Sequence, residues 1–347
     1  MRVRRRHLTA LLNRLYEQGH TAISVAHPAH EIGELLRIDL DGYEESSVAL
    51  TTTLEEYADA KTDIELAYGE RVAADLPEPA DVRNTLLGAE LLPPANHEEL
   101  ETFLSRYGNP DLMTGHPPVF AGFDTNLLPW RIDRVLGLRD LEAGLGYVNG
   151  FVLATCVRDE LTWENKCHDT DPYVEAFGPA FEEYWNQSVG AARIGRLGLL
   201  TYRNIRDIQQ AAEVESGRGD AEIIEAYDAY DQERRSDLIL FSNDKNFVER
   251  ARTHRLLGQR VEFPGSLPDE VATDWDTIGQ VLYLLAIVFG IITLPGVTIY
   301  GVWRGKDQLD WQHERLEVEA RSPAIGDGLE TDLSIVDSYE ALASTPF

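Results

Sequence analysis

An α/β fold built on a parallel sheet is what the sequence predicts for residues 116–266, and three observations predict it. Short apolar runs at 119–123, 150–155, 237–241 and 260–263 alternate with helical patterns. The first three are continuous rather than alternating, as strands covered on both faces must be, and the helical stretches between them supply the crossovers of a parallel sheet. Two runs end directly in aspartate-bearing turns, Asp124-Thr125-Asn126 and Ser242-Asn243-Asp244. Open sheets of this kind place their sites at the carboxyl ends of strands.

Residues 1–115 read as a mostly helical accessory region. Amphipathic helices are expected near 5–18, 53–75 and 97–107 and a strand near 46–51, with breaks at Pro77, Pro79, Pro93 and Pro94. Residues 267–347 read as a C-terminal extension. Asp269, Glu270, Asp274 and Asp276 suit a helix N-terminus, and no charge follows between Thr277 and Trp303. That length suffices for a membrane span, but Pro295-Gly296 interrupts it, and 297–303 can pair with the alternating segment 316–320 as a hairpin. A span would also leave Arg304 and Lys306 outside, against the usual charge bias. The expectation is an apolar helix and β-hairpin in a cytoplasmic protein, with an anchor through 277–303 as the alternative. From Ser322 a loose acidic tail is expected.

The 31 basic residues stand against 60 acidic ones, a formal charge of −29, and only Lys61, Lys166, Lys245 and Lys306 are lysine. Acids spread over every region resemble the halophilic composition of proteins from a very salty cytoplasm more than an acidic tail, which concentrates its charge in blocks. Such a charge would ordinarily oppose nucleic-acid binding. At about 1 M salt, however, the Debye length is about 3 Å, and only groups in direct contact matter. Cys156 and Cys167 are too few for a disulfide framework or a zinc set, so packing roles in a reducing compartment are expected. The opening Met-Arg-Val-Arg-Arg-Arg is followed by an amphipathic stretch containing Asn13 and Arg14, not by the apolar core of a signal peptide. A monomer and a homodimer are both compatible with this composition.

Four acids are candidates for chemistry. Asp124 and Asp244 close two strands of one parallel sheet and should face the same edge. Glu160 follows the strand at 150–155 near the start of a helix; its neighbour Asp159 points elsewhere, because adjacent helical positions do not share a face. Asp220 closes the loop Ser216-Gly217-Arg218-Gly219 and starts a helix expected over 221–235, with Glu222 a weaker ligand candidate. Each acid taken singly also suits a helix cap or a solvated first turn.

Phe-Asp-Thr-Asn at 123–126, Val-Arg-Asp-Glu-Leu at 157–161, Gly-Asp-Ala-Glu-Ile at 219–223 and Phe-Ser-Asn-Asp-Lys-Asn-Phe at 241–247 resemble, in order and spacing, the acidic motifs of PIN-domain nucleases. The resemblance covers about 150 residues and implies a three-layer α/β/α PIN-like domain with a central parallel sheet. It implies that Asp124, Glu160, Asp220 and Asp244 hold Mg2+ or Mn2+ for endonucleolytic cleavage, with RNA, single-stranded, as the expected partner and no organic cofactor. Convergent carboxylates independently call for a divalent cation, and hard oxygen ligands select Mg2+ or Mn2+ over zinc. Asn126 and Ser242 are placed to orient the acids. Asn246 stands where the family often has a further aspartate, and an asparagine oxygen can still ligate.

Arg131, Arg158, Arg218 and Lys245 are basic residues near the expected edge and either meet phosphate or are ordinary surface charges. Tyr173, Phe177, Phe181, Tyr184 and Trp185 fall near helical spacing and are read as core, with base stacking the minor alternative. Two other function classes remain open. One is a PIN-like adaptor that binds RNA or protein without catalysis. The other, a different Mg2+ phosphotransfer enzyme, is disfavoured because Asn126 occupies the second acidic position of an Asp-x-Asp motif.

Overall fold

The computed structural model describes residues 1–108, 112–140, 145–162 and 164–343. Internal packing divides the chain into two units, residues 92–164 with 194–265, and residues 1–91 with 165–193 and 266–347. The fold is mixed α/β, with one parallel and one antiparallel sheet as the principal sheets.

The first unit carries five parallel strands, β1 Val119–Phe123, β2 Gly150–Ala154, β3 Ala212–Val214, β4 Asp237–Ser242 and β5 Leu257–Arg260. Their spatial order is β5-β4-β1-β2-β3. The chain therefore starts in the middle, builds outward through β2 and β3, and returns to the other flank of β1. The order reverses between β1 and β4, and at such a switch point the loops leave in opposite directions and open a crevice. Helices α1 Thr155–Leu161, α2 Asp220–Arg234 and α3 Lys245–Thr253 follow β2, β3 and β4. Phe123 stacks between Phe151 and Phe241, at centroid distances of 5.8 and 6.0 Å, and joins the three inner strands.

The strands expected at 119–123, 150–155 and 237–241 are present, because each is buried along nearly its whole length. The last strand lies at Leu257–Arg260 rather than 260–263, and β3 has no counterpart among the expected strands. Both are edge strands with a single neighbour, so neither needs a continuous apolar run. In β5, Gly258 takes the place an apolar residue would have. A Cβ there would lie 2.7 Å from the Val248 carbonyl oxygen of α3.

The second unit is an eight-stranded antiparallel sheet. Its order is Arg2–Arg4, Arg315–Ala320, Val297–Tyr300, Ile291–Leu294, Ala22–Ala26, Glu34–Asp39, Ser46–Ala49, Glu270–Thr273. Its central helix, Trp275–Phe289, is capped by Asp274 and buries twelve of its fifteen residues. The uncharged stretch is thus a helix ended by Gly290 and then a tight hairpin through Pro295 and Gly296, whose φ is 70°. The expected pairing of 297–303 with 316–320 is found, in the register Val297↔Ala320 to Tyr300↔Glu317. Among the described residues no helix is long and apolar enough to cross a membrane.

Three expectations for this part of the chain are corrected. The region 1–115 is not mostly helical: four strands lie within its first fifty residues, and the alternation of buried Ile23 and Val25 is the signal they left. Regions 1–115 and 267–347 are also not separate extensions, because strands from both hydrogen-bond in one sheet, as Arg2–Arg4 does with Arg315–Ala320. The tail is not loose but a helix, Pro323–Ala343, anchored by buried Ile325 and Leu329 at helical spacing and by a bidentate Arg14–Asp332 pair.

Residues 165–193, assigned by sequence to the parallel-sheet domain, belong to this second unit. Tyr173, Phe177, Phe181 and Tyr184 are core there, whereas Trp185 is 45% exposed. The Tyr184 ring lies 5.4 Å from a fully buried guanidinium. Arg193 donates to Asp75 Oδ1 at 2.7 Å and to the carbonyl oxygens of Asp75 and Val288 at 2.8 and 3.0 Å. The Tyr184 hydroxyl and the Gly190 amide add to the bonds on Asp75. Burial and the Arg193 charge push His27 down to about 3, so its ring, set among Phe177, Phe181 and Phe289, is neutral. Removing one member of a buried pair strands the other charge, which costs about 3–5 kcal/mol. Arg193→Leu should lower unfolding stability by that amount in a urea titration at fixed salt, while the exposed pair Arg37 to Glu34 should be near neutral when broken.

Candidate functional site

Asp124 leaves β1 at the switch point. Its amide donates to the Phe241 carbonyl at 3.0 Å and so continues the β1–β4 ladder by one residue. That bond turns the side chain inward, and Asp124 is only 7% exposed. Oδ2 accepts from the Ser242 hydroxyl at 2.7 Å and from Asn126 Nδ2 at 3.4 Å. Ser242, fully buried as the last residue of β4, also accepts from the Asp244 amide at 2.9 Å. One hydroxyl therefore fixes the orientation of one acid and the backbone of another across the crevice.

The other acids stand around this pair, each held by its own partner. Asp244 is exposed and caps α3, accepting from the Asn246 amide at 2.7 Å. Glu160 projects from α1 and accepts from the hydroxyl of Thr125, the residue after Asp124. Asp159 turns away and binds Arg158. Asp220 is the first residue of α2, behind Gly219 as cap, and its carboxylate lies 3.7 Å from Arg250 of α3. Glu222 is folded back over Gly217, so close that a Cβ there would meet its carboxylate. Asn126 and Asn246 are exposed.

Capping accounts for one acid of the three that begin helical turns. Asp244 makes the cap bond, whereas Asp124 makes none and Asp220 lies one position inside its helix. The basic candidates divide as well. Arg131 is buried and its charge acts on buried Asp133. Arg158 pairs with Asp159 and approaches Glu213, while Arg218 and Lys245 are exposed.

Several groups act electrostatically on Asp124. Burial pushes its carboxyl above the ordinary aspartate range, and the charges of Asp220 and Glu160 push it further; the Ser242 hydroxyl pulls the other way. Two acids distant in sequence thus act on the same buried carboxylate. Among the described residues no three His, Cys, Asp or Glu side chains are close enough to share one ion, because Asp244, Glu160 and Asp220 point toward their local partners. The donors at the rim are nonetheless all oxygen, the set that suits Mg2+ or Mn2+.

Sequence reasoning missed Tyr227. Its fully buried hydroxyl, on α2, donates to the Phe123 carbonyl at 3.3 Å and accepts from the Ala154 amide at 3.1 Å. It ties the ends of β1 and β2 together one residue before Asp124 and before α1. Gly122 makes room for the ring, since a Cβ there would lie 2.9 Å from Tyr227 Cε1. The available signal is a tyrosine on the apolar stripe Ile223, Ile224, Tyr227 of an otherwise polar helix.

Comparison with models of protein families, with curated proteins and with solved structures gives no match.

Two outcomes follow from this geometry. The folded-state pKa of Asp124 is raised, so the folded state holds that proton more tightly than the unfolded one. The contribution of Asp124 to stability is fullest below the ordinary aspartate value of about 3.9 and is lost as pH rises through the folded value. Asp124→Asn removes that fall and should be more stable than wild type at neutral pH in chelator, as read by denaturation midpoints across pH 4 to 7; a variant less stable at every pH contradicts it. Tyr227→Phe leaves a buried amide without its acceptor and should lose about 1–3 kcal/mol.

Proposed function

We propose that the parallel-sheet unit is a PIN-like nuclease domain that hydrolyses phosphodiester bonds of single-stranded RNA with Mg2+ or Mn2+ at the Asp124 rim. The observation that carries the reading is a carboxylate buried at the switch point of a parallel sheet, under the charges of two further acids from other strand ends. A structural role alone gives no reason to bury one acid beside two more, since like charges disfavour the ionised form. A divalent cation turns that repulsion into binding energy.

Asp124 would hold the ion directly, with Asp244, Glu160 and Asp220 completing its shell directly or through water. When bound, such an ion supplies Lewis-acid activation of water and stabilises charge on the phosphate. The protein's own part is orientation. Ser242 holds the Asp124 carboxylate and the Asp244 backbone in fixed relation, Thr125 steadies Glu160, and Tyr227 holds the two strand ends that carry them. Arg218 and Lys245, exposed near the acids along the chain, suit contact with the phosphate backbone.

A second reading, an RNA- or protein-binding adaptor without catalysis, is favoured by Asp244 serving as a cap and by Asn246 in place of an aspartate.

The two are separated by incubating the purified chain at high salt with RNA and DNA panels and Mn2+ or Mg2+. Single-stranded RNA should be cut, and chelator should stop it. Asp124→Asn should abolish cutting with an unchanged circular dichroism spectrum, and Ser242→Ala should lower it by about 10–100-fold. Equal turnover in wild type and Asp124→Asn defeats the nuclease reading; RNA binding without cutting establishes the adaptor.

A further inference from the structure

A small polar hollow of about 180 Å3 lies within the parallel-sheet unit, between α3 and the end of β5. Lys245, Val248, Glu249 and Arg252 border it from one face of α3, spaced as a single helical stripe. Arg260, the last residue of β5, and Glu262 border it from the other side, joined at 2.6 Å. The same arginine holds the turn that carries Asp244. Its Nε donates to the Asn243 carbonyl at 3.3 Å, and the Val261 amide donates to the Ser242 carbonyl at 2.9 Å.

The third wall is built from polar bonds. Asn96 donates to the Arg260 carbonyl and accepts from the Glu262 amide, each at 2.9 Å, so one side-chain amide pairs with the chain on both sides of Val261. Gln259, only 2% exposed, donates to Glu99 Oε1 at 3.0 Å and sets the direction of that carboxylate. Exposed ion pairs are ordinarily worth little and need no such scaffolding. Here three cationic and three anionic side chains stand around the opening, with Lys245 and Glu249, 3.6 Å apart, as a second pair.

That balance decides the ligand. A phosphate would meet three carboxylates and a metal ion three cations, so a charged group of either sign is disfavoured. What fits is a neutral, flat group with donors and acceptors along one edge, which describes an unstacked nucleobase. The volume is below the roughly 300 Å3 at which pockets enclose drug-sized ligands, and it suits one ring system. Among the four RNA bases only guanine sets two N–H donors side by side next to a carbonyl acceptor. The two oxygens of a carboxylate match those donors, and a guanidinium matches the acceptor. We propose that this hollow receives a guanine base of single-stranded RNA, read by Glu262 and Arg260, an assignment that rests on the nuclease reading of the adjoining Asp244 turn. Their mutual pairing leaves both with capacity, since a carboxylate accepts at about four positions and a guanidinium donates through about five N–H groups.

The test uses the full chain carrying Asp124→Asn, in chelator and at fixed high salt, so that RNA is bound and not consumed. Anisotropy is followed for short labelled oligouridines carrying one central guanosine, inosine or adenosine. The guanosine strand should bind about tenfold tighter than the adenosine strand, the discrimination of one bidentate contact. Inosine lacks the second donor and should fall between them, which tests the contact without altering the protein. Glu262→Gln puts an amide where two acceptors were and should bring the guanosine and adenosine strands to equal affinity without moving the thermal midpoint. Glu233→Gln, at an exposed acid of α2, should keep the preference. Guanosine monophosphate offers the same edge as a free nucleotide and should compete more weakly than the strand, which adds backbone contacts. Equal affinity for the guanosine and adenosine strands, or a preference that survives Glu262→Gln, overturns the proposal. So does a nucleotide that binds more tightly than the strand, or a failure of every strand to bind. Cleavage is read separately: a chain that cuts RNA but binds all strands alike loses this pocket and keeps the nuclease reading, whereas one that prefers guanosine and cuts nothing loses the nuclease reading alone.

Discussion

A carboxylate removed from water at the end of the middle strand constrains the rest of the parallel-sheet unit. The position of Asp124 follows from the ladder: its amide completes the pairing with β4, so the side chain must enter the crevice between β1 and β4. Burial without a hydrogen bond would cost several kcal/mol, and Ser242 supplies that bond from the neighbouring strand. The serine can do so because β4 ends in register with β1, Phe241 opposite Phe123. The stacked phenylalanines keep that register, and Tyr227 extends it to β2. A slip of one residue would turn Asp124 and Ser242 to opposite faces.

The antiparallel unit solves a comparable problem differently. Its buried ion pair has no access to a crevice, and the solution is saturation. Arg193 is surrounded by the Asp75 carboxylate, two backbone carbonyls and the Tyr184 ring. The segment 165–193 supplies both Arg193 and the aromatic wall, which is why it packs with the antiparallel sheet although it lies between two strands of the parallel one in sequence. The contrast bears on function: in one unit the buried charge is neutralised internally, in the other it is left under further negative charge.

The sequence made the inner parallel strands and their terminal acids legible because the same requirement, burial on both faces, writes both signals. Runs such as 119–123 end where the strand ends, and the residue after them is Asp124. Edge strands carry no such demand, so β3 and β5 left little trace. The discontinuous antiparallel unit was hidden for another reason. Its sheet joins residues 2–4 to 315–320 and 46–49 to 270–273, and no local pattern records a partner hundreds of residues away. Tyr227 was hidden likewise, since a tyrosine on an apolar stripe reads as core until the two strand ends beneath its hydroxyl are located.

Charge density and charge placement act at different ranges here. The acids on the surface set a mean field that salt screens with distance. What remains at contact range is local, as where Asp220 and Glu160 act on Asp124. That juxtaposition of like charges disfavours the ionised form of the buried carboxylate. On the proposed nuclease reading a divalent cation would offset that repulsion.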